Sequence, residues 1–339
     1  MSGTIILDDQ GDLALLVGLS DPSNPSSGYS QRILVSTNIL RLASPVWKSM
    51  FRASGRYIES DLHSVSLPDD SPTALLIVLR IAHMRYKEVP DELSFNELVE
   101  LAVVCDKYDT VHVVRPFLPR WAGPWMRVAP GREEWIFIAW TFGFEDVFVE
   151  GVKAMVRDVV ADEKGNCLYG GQAVEGHFPP GVLDAILAAR EEAIKSLINA
   201  VTKTLETMHE KNHCHHSRLT CTSAKPSLTD KEMHLHVKEA PKCNALMIGS
   251  LVQGLNPFKV YLDDPSKVKI SVAEFCYKLK EIQIMAYATE ITEFVPNSHT
   301  HRLCPGQVDL PGSLDKAMEM APSGVMECDL NHIQEQAKK

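Results

Sequence analysis

Short apolar segments of strand length occur near the N-terminus, and helical periodicity dominates the rest of the chain. DLALLVGL at 12–19 and RILV at 32–35 predict two strands of a hairpin, with DPSNPSSG at 21–28 as its loop. SVSLPDD at 64–70 predicts a further strand and turn. Because helical patterns lie between and after these segments, the N-terminal part is expected to be a small sheet flanked by helices, an α+β fold.

Serine residues mark the predicted helix starts around these strands. Ser36 begins one helix, and the Ser-Pro pairs at 44–45 and 71–72 begin two more. Serine is favoured at the N-cap and proline at the first helical position. Ser94, followed by Glu97 at the third helical position, predicts a capping box. Four helices are therefore expected within one domain of ordinary size.

The remainder of the chain is expected to be mostly helical. Apolar residues recur at spacings of three and four from 183 to 208, which predicts a long amphipathic helix. The glycine-rich stretch at 162–181 predicts a loop. We expect a helical region at 126–213, a linker containing His and Cys at 214–242, and a C-terminal helical region at 243–335.

Five sequence blocks follow one another in the first third of the chain: GDLALLVG, RILVSTNILRLASPVWKSMF, VSLPDDSPTALLIVLRIAH, VPDELSFNELVELAVVCDKYDT and RPFLPRW. Together they resemble the BTB/POZ domain in the form common in fungal proteins, over residues 11–125. Residues 126–335 are similar to the helical C-terminal part of those proteins. The resemblance implies a module that binds proteins and catalyses no reaction. In that family the domain forms dimers, docks onto cullin-type ubiquitin-ligase scaffolds, or assembles transcriptional and channel complexes.

The expected function is therefore a protein-interaction scaffold, and we expect a homodimer. Its interface is predicted to bury the first strand at 12–17 and the first helices at 36–47, a surface with many apolar residues. The alternative is an adaptor for a cullin-type ubiquitin ligase. The hairpin tip is longer than in compact family members, and no kelch repeat or zinc-finger array follows the domain to recognise a substrate.

Charge and hydropathy restrict the partners. The net charge of −10 at pH 7 argues against a nucleic-acid partner, because phosphate backbones are anionic. The longest strongly apolar stretch, ALLIVL at 74–79, is too short to span a bilayer, so no membrane partner is expected. The N-terminus lacks the pattern of a signal peptide. We expect an intracellular protein, in the cytoplasm, the nucleus or both.

The segment HEKNH at 209–213 fits the short zinc-protease motif, with Glu232 as a third ligand on spacing alone. Three features favour coincidence: Lys211 lies inside the motif, the motif ends a predicted helix, and the surrounding sequence is rich in histidine. A zinc hydrolase that uses His209, Glu210 and His213 is kept as a remote alternative. The sequence has no phosphate-binding loop and no GxSxG motif, and we predict that the protein is not an enzyme.

A structural zinc site is the second metal hypothesis. Four thiolate and imidazole ligands suit structural zinc, and the candidate ligands are Cys221, Cys243, His301 and Cys304, with Cys214 as a substitute. His301 and Cys304 have a tight, ligand-like spacing, whereas Cys221 and Cys243 are 22 residues apart. Cysteines and surface histidines without a metal are therefore the favoured interpretation.

Other conspicuous side chains are expected in the core. Cys105 and Cys276 lie in apolar helical patterns, where cysteine behaves as a small apolar residue. Trp121 and Trp125 are expected to pack the seam between the first domain and the following helices, with an exposed binding patch as the alternative. The aromatic residues of 135–142 are also expected in the core.

Overall fold

The computed structural model describes residues 3–19, 28–51, 63–128, 132–210, 230–259, 262, 264–285 and 304–339. The chain divides into two compact units. Unit 1 comprises Met1–Ala154, Glu175–Val182 and Val325–Lys339, and unit 2 comprises Met155–Val174 and Leu183–Gly324. The N-terminal region is α+β, and the C-terminal region is mostly helical.

The N-terminal strands form a mixed sheet in the order β1-β3-β2-β4. The strands are β1 (Ile5–Ile6), β2 (Leu13–Leu19), β3 (Tyr29–Val35) and β4 (Ser64–Leu67). The predicted hairpin is confirmed, because β2 and β3 pair antiparallel, with Leu15 opposite Ile33. β4 adds parallel to β2, and β1 adds parallel to β3. β2 therefore lies inside the sheet, and β1 lies at an edge.

Helices make up most of the remaining described chain. They are α1 (Thr37–Ala43), α2 (Pro45–Met50), α3 (Pro72–Ala82), α4 (Phe95–Tyr108), α5 (Val111–Val114), α6 (Leu118–Val128), α7 (Trp135–Phe142), α8 (Glu145–Asp158), α9 (Val182–Glu210), α10 (Asp230–Leu255), α11 (Val272–Lys280), α12 (Leu310–Glu319) and α13 (Glu327–Ala337). Apolar side chains of the sheet and of α1 to α7 form one core in unit 1. A second core joins α9, α10, α11 and α12 in unit 2.

Three of the four predicted serine caps are confirmed. The Ser44 hydroxyl accepts a hydrogen bond from the Trp47 N–H at 2.9 Å, and Ser71 caps α3 in the same way. The capping box between Ser94 and Glu97 is present at the start of α4. Ser36 precedes α1, but its side chain makes no capping hydrogen bond.

The C-terminal helix α13 belongs to unit 1, although α12 and the preceding segment belong to unit 2. The His332 ring stacks on Trp140 of α7, with 3.7 Å between the ring centroids. Arg115 donates to the backbone carbonyl of Phe142 at 2.9 Å and also to that of Gln336. The sequence predicts that the C-terminal region is helical, but it does not predict that α13 packs against α7.

The predicted region at 126–213 is divided between the two units. Its first part joins unit 1 because the side chains of α7 fill the core of that unit. Trp135 packs edge to face against Phe95 of α4, with 5.5 Å between the ring centroids. The boundary predicted at residue 125 therefore passes through a single packed core.

Two predicted loops contain regular structure instead. The stretch at 162–181 contributes to a small antiparallel sheet of β5 (Val160–Ala161), β6 (Cys167–Tyr169) and β7 (Gln172–Ala173), whose strands are too short to show an alternating pattern. In the predicted linker at 214–242, residues from Asp230 onward belong to α10. That helix continues through Pro241, which lies within the predicted linker.

Candidate interaction surface

The structure describes two of the four predicted zinc ligands. Cys243 and Cys304 are both buried in the hydrophobic core of unit 2. Cys221, His301 and the substitute Cys214 lie outside the described residues. Among the described residues, no group of three or more His, Cys, Asp or Glu side chains is placed to hold a metal. The structural zinc site stays a prediction.

The HEKNH segment is described only in part. His209 and Glu210 are exposed at the end of α9, and His213 lies outside the described residues. The structure describes the helix only up to Glu210, so the complete motif is not placed. The zinc-hydrolase hypothesis therefore also stays a prediction.

The residues expected in the core are buried as predicted. Cys105 and Cys276 are buried, and burial raises the pKa of the Cys105 thiol to about 12. Trp121 is buried and Trp125 partly buried within unit 1, where their indole N–H groups donate to the carbonyls of Pro90 at 3.1 Å and Leu93 at 2.8 Å. An exposed tryptophan patch at these positions is excluded.

The interface predicted at 12–17 and 36–47 stays a prediction, and most side chains of its strand part are not accessible. Leu13, Leu15 and Val17 are already buried within unit 1, because they belong to the core that the sheet forms with the helices. A second protein cannot bury the same side chains again. The accessible part of this region is the helix pair α1 and α2.

Two apolar side chains on this helix pair are exposed. Leu42 of α1 is 86% exposed and Val46 of α2 is 39% exposed, whereas the neighbouring Leu40 and Trp47 are buried. We call Leu42 and Val46 the helix patch. A single exposed apolar side chain is common on protein surfaces. Two exposed apolar side chains on adjoining helices form a candidate contact surface.

Groups from two other segments hold the start of α1. Asp12 accepts from the backbone N–H of Thr37 at 2.8 Å and from the Thr37 hydroxyl at 2.6 Å. Burial by itself would raise the pKa of Asp12, but these hydrogen bonds lower it below its ordinary value. The backbone N–H of Ser36 donates to Nε2 of His83 at 3.2 Å. α1 is thus positioned by long-range contacts.

A buried polar network holds α2. The Ser44 hydroxyl, which caps α2, also donates to the carbonyl of Tyr108 at 2.5 Å. The Trp47 ring packs on the Tyr108 ring, with 4.9 Å between the centroids. The Tyr108 hydroxyl and the Lys107 ammonium both donate to the carboxylate of Asp70, which is buried. Burial and the hydrogen bond to Asp70 both raise the pKa of Tyr108.

A second exposed apolar surface follows α3. Met84 is 76% exposed and Tyr86 is 54% exposed. Met84 has a φ of 58°, in the left-handed region that glycine usually occupies at a helix C-terminus. Its N–H donates to the carbonyl of Ile81, and the Arg85 N–H donates to that of Arg80, which together form a Schellman motif. This motif ends α3 at Ala82.

Aromatic rings connect this surface to the core. Tyr86 stacks on Phe117 with 6.3 Å between centroids, and Phe117 stacks on the buried Trp121 at 5.2 Å. The Arg120 guanidinium lies 5.8 Å from the centre of the Phe117 ring. We call Met84, Tyr86 and Phe117 the loop patch. The loop patch was not predicted from the sequence, because no local pattern indicates that Met84 is exposed and has a left-handed backbone conformation.

Unit 2 contains a surface recess of about 360 Å³ between the end of α10 and the end of α11. A volume of this size is within the range of small-ligand or side-chain pockets. Its lining combines apolar and polar side chains, among them Phe258, Ile282, Met285, Ser250, Lys278 and Glu281. The recess was not predicted, because helix ends that are distant in sequence form it.

Comparisons with known proteins give no further assignment: no family model, curated protein or solved structure matches this chain. No helix among the described residues combines the length and the hydropathy that crossing a membrane requires.

Proposed function

We propose that this chain is a protein-interaction scaffold that self-associates through a BTB-like N-terminal domain and catalyses no reaction. The resemblance of residues 11–125 to the BTB/POZ domain supports this proposal, as does the α+β arrangement of that region. The observation that carries it is the exposure of Leu42 and Val46 on helices whose inner face, with Leu40, Ala43 and Trp47, is buried. A buried polar network and long-range hydrogen bonds hold both helices in place.

Charge around the helix patch favours a second copy of the chain as the partner. Two exposed basic residues lie near the helix patch in sequence: Arg41 precedes Leu42 on α1, and Lys48 follows Val46 by two residues on α2. The turn between β1 and β2 carries Asp8 and Asp9. In a two-fold interface each contact occurs twice, so the basic residues of one copy can face the acidic turn of the other. An apolar centre with complementary charges at its rim is typical of protein interfaces.

The alternative function is an adaptor for a cullin-type ubiquitin ligase. The loop patch favours it, because Met84 has a strained left-handed backbone that costs stability, while most of its side chain is exposed and gains little packing within the unit. Such strain is retained at positions that contact a partner. In this alternative the recess of unit 2 supplies a place to hold a substrate segment. Co-purification of a cullin that depends on Met84 and Tyr86, and not on Leu42, would favour the adaptor.

Sedimentation equilibrium of the full chain and of Leu42→Asp tests the proposed function. Burying a leucine side chain contributes about 2 kcal/mol, and a two-fold interface contains the residue twice. A buried carboxylate adds a further cost. The variant should therefore raise the Kd of self-association by at least about a thousandfold, which corresponds to about 4 kcal/mol.

The matched control is Tyr277→Asp, which changes an exposed aromatic residue of unit 2 to the same acidic residue. It should leave the Kd unchanged. If Leu42→Asp self-associates as tightly as the wild type, the helix patch is not the interface. If both variants weaken association equally, added negative charge is the cause and the assignment to the helix patch fails.

A further inference from the structure

The start of α1 depends on a buried histidine from another helix. Ser36 does not cap α1 with its side chain, and its backbone N–H donates instead to Nε2 of His83, the residue that follows α3. His83 is buried. Its other ring nitrogen, Nδ1, lies 2.9 Å from the carbonyl oxygen of Leu79. The imidazole therefore connects the end of α3 to the start of α1.

The two partners determine the protonation of this ring. The Leu79 carbonyl can only accept a hydrogen bond, so Nδ1 must carry the proton. The Ser36 N–H can only donate, so Nε2 must be unprotonated. His83 must therefore be neutral, in the Nδ1–H tautomer, for both hydrogen bonds to exist. A second proton on Nε2 would place two donors against each other.

We propose that His83 is a pH-sensitive anchor of α1, whose protonation releases the Ser36 N–H and weakens self-association through the helix patch. The link to self-association rests on the proposed function, and the anchoring of α1 does not. Released from His83, α1 retains the hydrogen bonds of Thr37 to Asp12. Leu42 lies on the same short helix, so any displacement of α1 moves half of the helix patch.

The charges around the ring set the pH range. Burial lowers the pKa of His83 from its ordinary value of 6.5, and Arg85 lowers it too. The hydrogen bond to Leu79 and the negative charge of Asp8 raise it, but the net pKa is lowered. Asp12, which accepts from Thr37, is a further charged group at the start of α1.

The direction of the pH effect follows from the lowered pKa. As the pH falls below 6.5, the unfolded chain takes up a proton on this residue before the folded chain does. The stabilisation that depends on the neutral ring is complete above that pH, and it is lost as the pH falls through the folded pKa.

The test compares the wild type with His83→Gln. The glutamine side chain has an NH₂ group that donates and a carbonyl oxygen that accepts, but it does not change its protonation between about pH 7.5 and pH 5.5. All five tryptophans of the chain lie in unit 1, so their fluorescence during urea unfolding reports on the unit that contains His83. Between about pH 7.5 and pH 5.5, where histidine titrates, the unfolding constant of the wild type should rise more than that of His83→Gln, by up to about tenfold. His112→Gln, at an exposed position on α5, is the matched control and should follow the wild type.

Two further measurements separate the possible outcomes. Long-range ¹H–¹⁵N correlation NMR of the wild type at about pH 7.5 should show the Nδ1–H tautomer for His83. The Nε2–H tautomer would overturn the anchor. This measurement needs only the wild type, so it decides the question even if His83→Gln does not fold. Sedimentation at the same two pH values should show weaker association of the wild type at the lower pH. If the wild type is monomeric at both, the proposed function fails, whereas the fluorescence result still decides whether His83 anchors α1. If wild type and His83→Gln lose stability in parallel, the anchor is refuted.

Discussion

Met84 is the residue for which the structure makes the most specific prediction. Its φ of 58° lies in the left-handed region, where a residue with a Cβ costs about 1–2 kcal/mol relative to the right-handed region. Glycine avoids this cost but loses about 0.5–1 kcal/mol in backbone entropy. Because the Met84 side chain is mostly exposed, little packing is lost on truncation. Met84→Gly should therefore stabilise unit 1 by about 0.5–1 kcal/mol.

Met84→Ala is the matched control, because it removes the same thioether but keeps the Cβ and its strain. Its free energy of unfolding should stay within about 0.5 kcal/mol of the wild type. Urea unfolding followed by tryptophan fluorescence measures both variants in unit 1. If glycine is no more stable than alanine at this position, the strain argument for the loop patch is wrong. If the loop patch binds a partner, both variants should weaken that binding to a similar extent.

Three other substitutions test the framework that positions the candidate surface. Asp70→Asn should destabilise unit 1 by about 2 kcal/mol, because it weakens charge-assisted hydrogen bonds from Lys107 and Tyr108 to a buried carboxylate. The control Asp91→Asn removes an exposed ion pair and should change the free energy of unfolding by less than about 1 kcal/mol. Gly143→Ala should cost more than about 2 kcal/mol, since its φ is 79° and a Cβ would lie 2.5 Å from the backbone nitrogen of Ala337; Gly123→Ala, with open space around it, should not destabilise. Arg190→Met should lower the thermal midpoint of unit 2, which circular dichroism measures. The buried guanidinium donates to the carbonyls of Val159, Val268 and Ile270, and the loss of these hydrogen bonds costs about 1–3 kcal/mol.

Features encoded within a few residues were predictable from the sequence. Ser44, Ser71 and Ser94 act as helix caps because a cap depends only on its own side chain and the next backbone N–H groups. The amphipathic repeat of α9 is likewise local, and the helix runs from Val182 to Glu210 as expected. Ser36 is the informative exception. The cap it offers is replaced by His83 and Asp12, which are distant in sequence.

Features that depend on distant contacts were missed. The sequence shows that residues 13–17 are apolar, but not that the core of the same unit buries most of them. Helix α10 passes through Pro241 and begins among polar residues, where local propensity favours a loop. The C-terminal region was expected to be helical, but the sequence does not show that α13 packs in unit 1 through the Trp140–His332 stack.

The candidate site follows the same division. Leu42 lies within the segment 36–47, which was predicted to form part of the interface. The structure adds that Leu42 is exposed on α1, whereas Leu40 and Ala43 of the same helix are buried. The loop patch and the recess of unit 2 require backbone conformation and helix packing that no local pattern reveals. The zinc hypotheses concern Cys221, His301 and His213, which lie outside the described residues.

Native mass spectrometry of the full chain, purified without added metal or chelator, is the most direct test of the central claim. At about 10 µM, a dimer with a Kd of about 1 µM or below should be populated. We predict a species of two 37.7-kDa chains, which the Leu42→Asp variant converts to single chains. A wild-type spectrum that contains only single chains would contradict self-association through the helix patch, and with it the proposed scaffold function.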